Sequence, residues 1–319
     1  MRTVFTIGEA LIDFVPGEVN CSLKDVSTFS RAAGGAPANV ACAVAKLGGK
    51  SAFIGKVGED AFGDHIVETL TLAGVDTSHI FRTNIANTAL AFVSLQENGQ
   101  REFSFYRKPS ADLFLSSAEI NRDWFQGNEI LHFGSVDLIA DPVKGAHMQA
   151  IQYCRRQGGL ISFDPNVRLS LWESEQELRD TIQTFLPLAD IVKVSSDELH
   201  FITGIDNEEQ ALNSLFQGEV KHIFYTRGEE GAEWIAPNFR SYVPALKVKA
   251  VDTTGAGDAF VGAMLYQLAK EEQPLSEIQV TTAADILKFA TTAAGLTTEK
   301  HGAIPALVTE QQVLNYLGK

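Results

Sequence analysis

The chain is short of positive charge: 26 Lys and Arg stand against 40 Asp and Glu among 319 residues, a formal net charge of −14. Such a surface repels the phosphate backbone of nucleic acid and the anionic face of a membrane, so neither is an expected partner and any anionic ligand must be bound locally. Cysteine is scarce. Cys21, Cys42 and Cys154 are odd in number, far apart and contain no C-x-x-C, which reads as three reduced thiols rather than a disulfide framework. No stretch approaches the roughly 18 uninterrupted apolar residues of a membrane span, and the first 14 residues lack the cationic, apolar, small-residue order of a signal peptide. A cytoplasmic protein is the expectation. The seven histidines are scattered without H-E-x-x-H, so a His-based metal site has little support. No G-x-S-x-G appears either.

What the chain does have is an ordinary apolar fraction, 45%, and a rhythm. Length alone allows about two domains, or one large α/β domain with an appendage. Apolar runs at Thr3–Ile7, Ser51–Ile54, Ile130–Phe133, Leu160–Phe163, Ile191–Val194 and Ile223–Tyr225 read as strands. Between them lie segments of helical period at Ala36–Leu47, Ala61–Ala73, Val143–Arg156, Leu178–Leu188, Ala256–Lys270 and Ile278–Leu296. Alternating strands and helices predict a parallel sheet. Two stretches break the rhythm. In Thr88–Lys108, Asn98-Gly99 sits between runs of strand formers, a hairpin signal, and alternation puts Phe103, Phe105 and Arg107 on one face. That arginine reads either as a rim residue or as a cation lining a pocket. Phe14–Arg31 is the second such stretch. Together they predict a small sheet over the main one, where open α/β sheets bind ligands.

The chemistry concentrates in Val251-Asp252-Thr253-Thr254-Gly255-Ala256-Gly257-Asp258-Ala259-Phe260, which opens a helix. Glycines there let backbone amides converge at a helix N-terminus, a site for phosphate. Asp258 reads either as a dipole-favoured first-turn residue or as a base toward an attacking hydroxyl. Two look-alikes fall away. Gly48-Gly49-Lys50-Ser51 ends like a phosphate loop, but Val44 occupies the first glycine position, and Gly255-x-Gly257 has Phe260 where a dinucleotide fingerprint needs its third glycine.

Two separated motifs resemble those of the PfkB (ribokinase-like) carbohydrate kinases, and the resemblance spans essentially the whole chain. The first is Gly34-Gly35-Ala36-Pro37-Ala38-Asn39-Val40-Ala41, continuing to Gly55-Lys56-Val57-Gly58-Glu59-Asp60-Ala61-Phe62-Gly63. The second is Asp252-Thr253-Thr254-Gly255-Ala256-Gly257-Asp258. Within the family the chain looks most like bacterial fructokinases, through Gly8-Glu9-Ala10-Leu11-Ile12-Asp13, Phe105-Tyr106-Arg107, Phe163-Asp164-Pro165-Asn166-Val167-Arg168 and Lys193-Val194-Ser195-Ser196-Asp197-Glu198-Leu199.

The resemblance implies one ribokinase-like domain over 1–319, a three-layer α/β/α fold with a mostly parallel central sheet and a small β-sheet lid formed by about 14–33 and 87–110. It implies transfer of the γ-phosphoryl of ATP to a primary hydroxyl of a sugar, fructose first, with Mg²⁺ and potassium, in a homodimer joined through the lid. Asp258 would be the base, with Gly255, Ala256 and Gly257 as the amide cradle. Asp13, Gly34, Gly35 and Asn39 would bind the sugar, Arg107 would reach in from the lid, and Arg168 would lie near sugar or phosphates. Asn166, Lys193, Thr226, Gly228 and Gly231 would meet the nucleotide. Glu198 matches the glutamate of the family's Asn-x-x-Glu motif and would order Mg²⁺-bound waters, although Ser195 stands where the asparagine should be. Asp252 and Thr254, with carbonyls near Thr297 to Gly302, resemble a potassium loop. Ribose, 2-keto-3-deoxygluconate and aminoimidazole riboside stay open as acceptors, as does a non-catalytic sugar sensor.

Overall fold

The computed structural model describes residues 1–18, 21–95 and 101–319. The strands are β1 (Thr3–Ile7), β2 (Leu11–Pro16), β3 (Phe29–Gly34), β4 (Lys50–Gly58), β5 (Ile80–Thr83), β6 (Ala89–Leu95), β7 (Arg101–Tyr106), β8 (Glu129–Gly134), β9 (Leu160–Asp164), β10 (Ile191–Ser195), β11 (His222–Thr226), β12 (Gly231–Ala236) and β13 (Phe239–Pro244). The helices are α1 (Ala36–Lys46), α2 (Ala61–Leu72), α3 (Val143–Arg156), α4 (Glu175–Phe185), α5 (Ser196–Thr203), α6 (Glu208–Ser214), α7 (Ala256–Lys270), α8 (Val280–Thr297) and α9 (Glu310–Leu317). Among the described residues no helix is long and apolar enough to cross a membrane.

Two sheets form. The large one has the order β13-β12-β11-β10-β9-β8-β1-β4-β5 and is parallel from β11 to β5, as the rhythm predicts. Its strands are apolar on both faces because each face is covered. Phe5, Ile7, Leu131, Phe133, Ile161 and Phe163 join one core with α3, α4 and α5, while the alternate residues Val4, Ile130, Ile191 and Phe224 join a second core with α1, α7 and α8. The period of two along each strand therefore builds the expected three layers.

At one edge the rhythm fails to predict β12 and β13, an antiparallel pair closed by Pro237-Asn238, with Trp234 of β12 paired to Phe224 of the neighbouring β11 at 4.5 Å between rings. Gly231 opens β12 at φ 126, where a Cβ would lie 2.2 Å from Val243 O. The backbone of the hairpin demands a glycine there. The helix expected over Leu178–Leu188 instead begins at Glu175, because Ser174 caps it by accepting the Glu177 N–H, and it ends at Phe185 ahead of Pro187. The glycines of the phosphate-loop look-alike are a helix stop, Gly48 at φ 93, followed by the start of β4.

The small sheet has the order β3-β2-β6-β7. It starts at Leu11, earlier than the two irregular stretches suggest, and so takes Asp13 into a strand. The Asn98-Gly99 turn and the side chain of Phe103 lie outside the described residues. Asp60 pins this sheet to the body: Oδ1 accepts the N–H groups of Phe62 and Gly63 at the start of α2, and Oδ2 accepts that of Thr88 at 2.8 Å. A Cβ on Gly58 would sit 2.1 Å from that carboxylate. The second half of the first motif is therefore an anchor for the small sheet.

Candidate active site

A cavity of ≈ 320 Å³ opens between the small sheet and the carboxyl ends of the large sheet's strands, where strand geometry leaves loops free to carry function. The cavity has four walls. From β2 comes Asp13, against which Gly34 packs so closely that a Cβ would lie 2.3 Å from Asp13 Oδ2. From the turn into α1 come Gly35 and Asn39. Gly35 has φ 104, and a Cβ there would meet Glu9 O at 2.5 Å, so only glycine lets β3 pass directly into the helix.

The ends of β9 and β10 bring Asp164, Asn166, Arg168, Lys193, Ser195 and Glu198. Asn166 is the one non-glycine with positive φ among the described residues, at 46°, a conformation Asn tolerates better than most residues. Lys193 is buried with Nζ 3.1 Å from Asp164 Oδ2 and 3.9 Å from Glu198 Oε2. Burial opposes its charge, but the two carboxylates outweigh that and hold its pKa above the usual lysine value. Burial pushes Asp164 up to about 6. Burial acts the same way on Glu198, yet Lys193 and the hydrogen bonds from Ser195 and Val167 bring it below its usual value. Ser195 and Glu198 form a capping box on α5, so Ser195 serves the helix, and Glu198 is held by Ser195 N, Ser195 Oγ and Val167 N.

The fourth wall is the start of α7. Gly255 caps it at φ 75, and the first N–H groups of a helix have no intrahelical acceptor. Of the three residues expected to form the cradle, Gly255 and Gly257 line the cavity, while the Ala256 N–H is engaged by Thr253 O at 3.2 Å. Asp258 follows in the first turn. Its Oδ2 accepts a hydrogen bond from Asn39 Nδ2 at 2.8 Å. Burial raises its pKa, opposed by Asn39, Arg168 and Lys193. Lys193 also lies close to the helix start, since a Cβ on Gly257 would stand 4.0 Å from its Nζ.

Eleven of the residues singled out from the sequence thus converge on one cavity: Asp13, Gly35, Asn39, Asn166, Arg168, Lys193, Glu198, Thr254, Gly255, Gly257 and Asp258. Others do not line it. Arg107 is neither a rim residue nor a lining one: it is 4% exposed and bonded to Asp112 and Asp137 behind the wall. Thr226 is level with Ser195 in the β10–β11 register, at the cavity's flank, with Gly228 beyond it at φ 51. Asp252 accepts the N–H groups of Thr254 and Gly302 at 2.8 and 2.9 Å and so ties the loop before α7 to the loop after α8.

Sequence reasoning missed the lining residues Glu9 and Asp164 as site groups, because one more carboxylate in an acidic chain carries no signal of its own. Among the described residues no three His, Cys, Asp or Glu stand close enough together to hold a metal directly. The donor set fits a hydrated Mg²⁺ that arrives on phosphates and keeps its waters, which Glu198 on the cavity wall would order. For a monovalent ion, Thr254 Oγ1 is buried with no hydrogen-bond partner, an acceptor that fits the loop Asp252 closes.

Comparison with known proteins agrees with this geometry. The profile of the pfkB family carbohydrate kinases matches residues 1–310. The chain is 44% identical over 317 residues to fructokinase-1 of Zea mays, covering 99% of this chain and 98% of that protein. A Vibrio cholerae fructokinase double mutant solved with fructose, ADP and potassium ion superposes with a TM-score of 0.89 at 37% identity, over 99% of this chain and 98% of that one. The Xylella fastidiosa fructokinase with bound ATP gives 0.88 at 32% identity, over the full length of both.

Proposed function

The chain belongs to the pfkB family of carbohydrate kinases, and on that premise we propose that it phosphorylates fructose, moving the γ-phosphoryl of ATP to the O6 hydroxyl. The observation that carries the reading is the meeting of Asp258, Asn39, Lys193 and Arg168 at the N-terminus of α7 in one cavity. Phosphoryl transfer asks the protein for positioning and charge stabilisation more than for covalent chemistry, and these groups supply both.

Asp258 accepts the proton of the sugar hydroxyl. Burial raises its pKa, which makes it a better proton acceptor than an exposed aspartate. The amides around Gly255 and Gly257, with the positive end of the α7 dipole behind them, stabilise charge on the transferred group. Asp13, Gly34, Gly35 and Asn39 form the sugar side, with Arg107 bracing the root of the lid. Arg168, Asn166, Lys193, Thr226 and Gly228 form the phosphate and nucleotide side. Gly231 contributes through the hairpin backbone. Glu198 would order the waters of a Mg²⁺ arriving with the nucleotide, which would supply neutralisation of phosphate charge, and Asp252 and Thr254 would hold a potassium ion in the loop before α7. The small sheet closes over the sugar and excludes water, so that ATP hydrolysis does not compete.

The single kinase domain spans the chain, works in the cytoplasm and pairs through the lid into a homodimer. Support for the pairing is the aromatic face of the lid, where Phe14, Phe29, Phe92 and Tyr106 contact one another and Tyr106 is 64% exposed. Light scattering that finds only monomer would remove the dimer. The functional test is ADP release with ATP, Mg²⁺ and K⁺ across fructose, ribose, 2-keto-3-deoxygluconate, aminoimidazole riboside and a blank without sugar. A selective fructose response is expected. A selective response to another acceptor reassigns the pocket, and no response to any overturns the catalytic reading.

A further inference from the structure

Two of the four crossings between the large sheet and the lid meet at one buried charge cluster. The chain leaves β1 through Gly8, Glu9 and Ala10 to enter β2, and it leaves β7 to reach Arg107. Arg107 Nη2 donates to Asp112 and to Asp137, and Nη1 donates to Val136 O at 3.5 Å. Asp112 also accepts the Ser110 hydroxyl. Glu9 feels the same guanidinium. It is only 3% exposed, yet it lines the cavity beside Asp13, Gly35 and Asn39.

Glu9 also does something for α1 that the helix's own sequence does not. Its Oε1 accepts the N–H of Ala36, the first residue of α1, at 3.0 Å. The residue in the cap position, Gly35, has no side chain to do this, and the contact with Glu9 O leaves no room for one. Glu9 is thus a cap brought from 27 positions away, and a carboxylate is the group that a helix N-terminus favours. One turn into α1 stands Asn39, whose own N–H bonds Gly35 O at 2.8 Å and whose amide holds Asp258.

We propose that Glu9 is a positioning residue of the sugar pocket: its charged carboxylate caps α1 and fixes Gly35 and Asn39 against the sugar, while the Arg107 cluster at the root of the lid sets that charge. The inference rests on the sugar-kinase reading above and adds a proton dependence to it. The groups facing Glu9 are Arg107 after β7, Asp112 in the following turn, Asp137 after β8, Asp13 on β2, and His147 on α3 beside Gly8. Burial pushes Glu9 up to about 7, with Arg107 and the Ala36 N–H opposing and Asp112 adding to the rise. Burial holds His147 down at about 4, so it stays neutral through that window. Burial and Asp112 raise Asp137, against the pull of Arg107. On going below neutrality Glu9 takes up a proton, the cap loses its charge, and sugar affinity falls.

The test is steady-state kinetics at saturating ATP and Mg²⁺, from the acid side of neutrality to about pH 8. In the unmodified protein KM for fructose is expected to rise toward about tenfold per pH unit below about pH 7, as one proton uptake dictates. Glu9→Gln keeps the shape and removes the charge: KM is raised at the alkaline end and no longer depends on pH, while the acid limb of kcat, set by Asp258, stays where it was. Asp112→Asn removes a carboxylate that raises Glu9, so its KM limb moves toward acid. A flat KM in the unmodified protein, or a limb that survives in Glu9→Gln, overturns the assignment. If Glu9→Gln does not fold, an unmoved limb in Asp112→Asn overturns it equally. Absence of fructose-dependent ADP release at every pH is a different failure, that of the kinase reading itself, and takes this inference with it.

Discussion

Asn39 Nδ2 donates to Asp258 Oδ2 at 2.8 Å, a hydrogen bond that spans 219 positions of sequence. It joins the two motifs most characteristic of the chain, one at the start of α1 and one at the start of α7. The other amide atom, Asn39 Oδ1, is buried without a partner, so the same side chain that orients the carboxylate still has an acceptor to offer a sugar hydroxyl. On the proposed mechanism, one residue thereby couples substrate placement to the base.

Asp258→Asn should lower kcat by about 10²- to 10⁴-fold, the usual contribution of a positioned general base. The substitution keeps size and shape, so fructose and ATP should still bind within a few-fold of normal by calorimetry. Turnover close to normal in this variant would remove Asp258 from the role of base.

Asn39→Ala should move the acid limb of kcat to higher pH. The sign follows from the causes at Asp258: burial raises its pKa and the Asn39 hydrogen bond lowers it, so deleting the donor raises it further and the base is ionised only at higher pH. KM for fructose should rise in the same variant. A pH profile of kcat that superposes on that of the unmodified protein would show that Asn39 does not act on Asp258.

These residues differ in how they announce themselves. The layers were legible because both faces of the β1, β8 and β9 strands are covered, so Val4 and Phe5 alike are apolar, and short apolar runs separated by helical periods admit few other folds. Asp258 and Gly255 were legible because a helix N-terminus built from glycines leaves its chemistry in one local segment. Arg107 was not. Alternation predicted its face, but no local pattern indicates that Asp112 and Asp137 will close on it, since that depends on where the loop after β8 passes. Glu9 was hidden for the same reason: its function comes from an N–H on α1, reached only once β2 and β3 have folded back. The β12–β13 pair escaped because its turn, Pro237-Asn238, lacks the Asn-Gly signature that marks a two-residue hairpin.

Gly255→Ala should reduce both stability and turnover. The glycine has φ 75, and a Cβ would lie 2.7 Å from Ala303 Cβ and 3.0 Å from its Cα. The left-handed conformation alone costs an alanine about 1–2 kcal/mol, and the clash pushes the Ala303 loop away from the start of α7. Denaturant unfolding should give an unfolding free energy lowered by at least that amount, with kcat reduced because the amide cradle shifts. An unchanged midpoint would mean that the loop yields freely and does not brace the helix start.

Lys193→Met should lose far more stability than a surface lysine would. Lys193 is 7% exposed, with Asp164 at 3.1 Å and Glu198 at 3.9 Å, and removing one partner of a buried ion pair leaves uncompensated charge at about 3–5 kcal/mol. The deficit should also depend on pH. Lys193 lowers the pKa of both carboxylates. Without it Asp164 rises further above its unfolded-chain value, and Glu198 loses the largest cause that holds it below its own. The folded variant then binds more protons than the unfolded one, and stability is lost as pH rises through the carboxylate range. The gap between the variant and the unmodified protein should therefore widen from mildly acid to neutral pH in thermal unfolding. KM for ATP should rise more than KM for fructose, because the ammonium faces the α7 start from the β10 side, away from Asp13. A gap that narrows toward neutral pH, or a loss confined to fructose, would contradict this arrangement of charge.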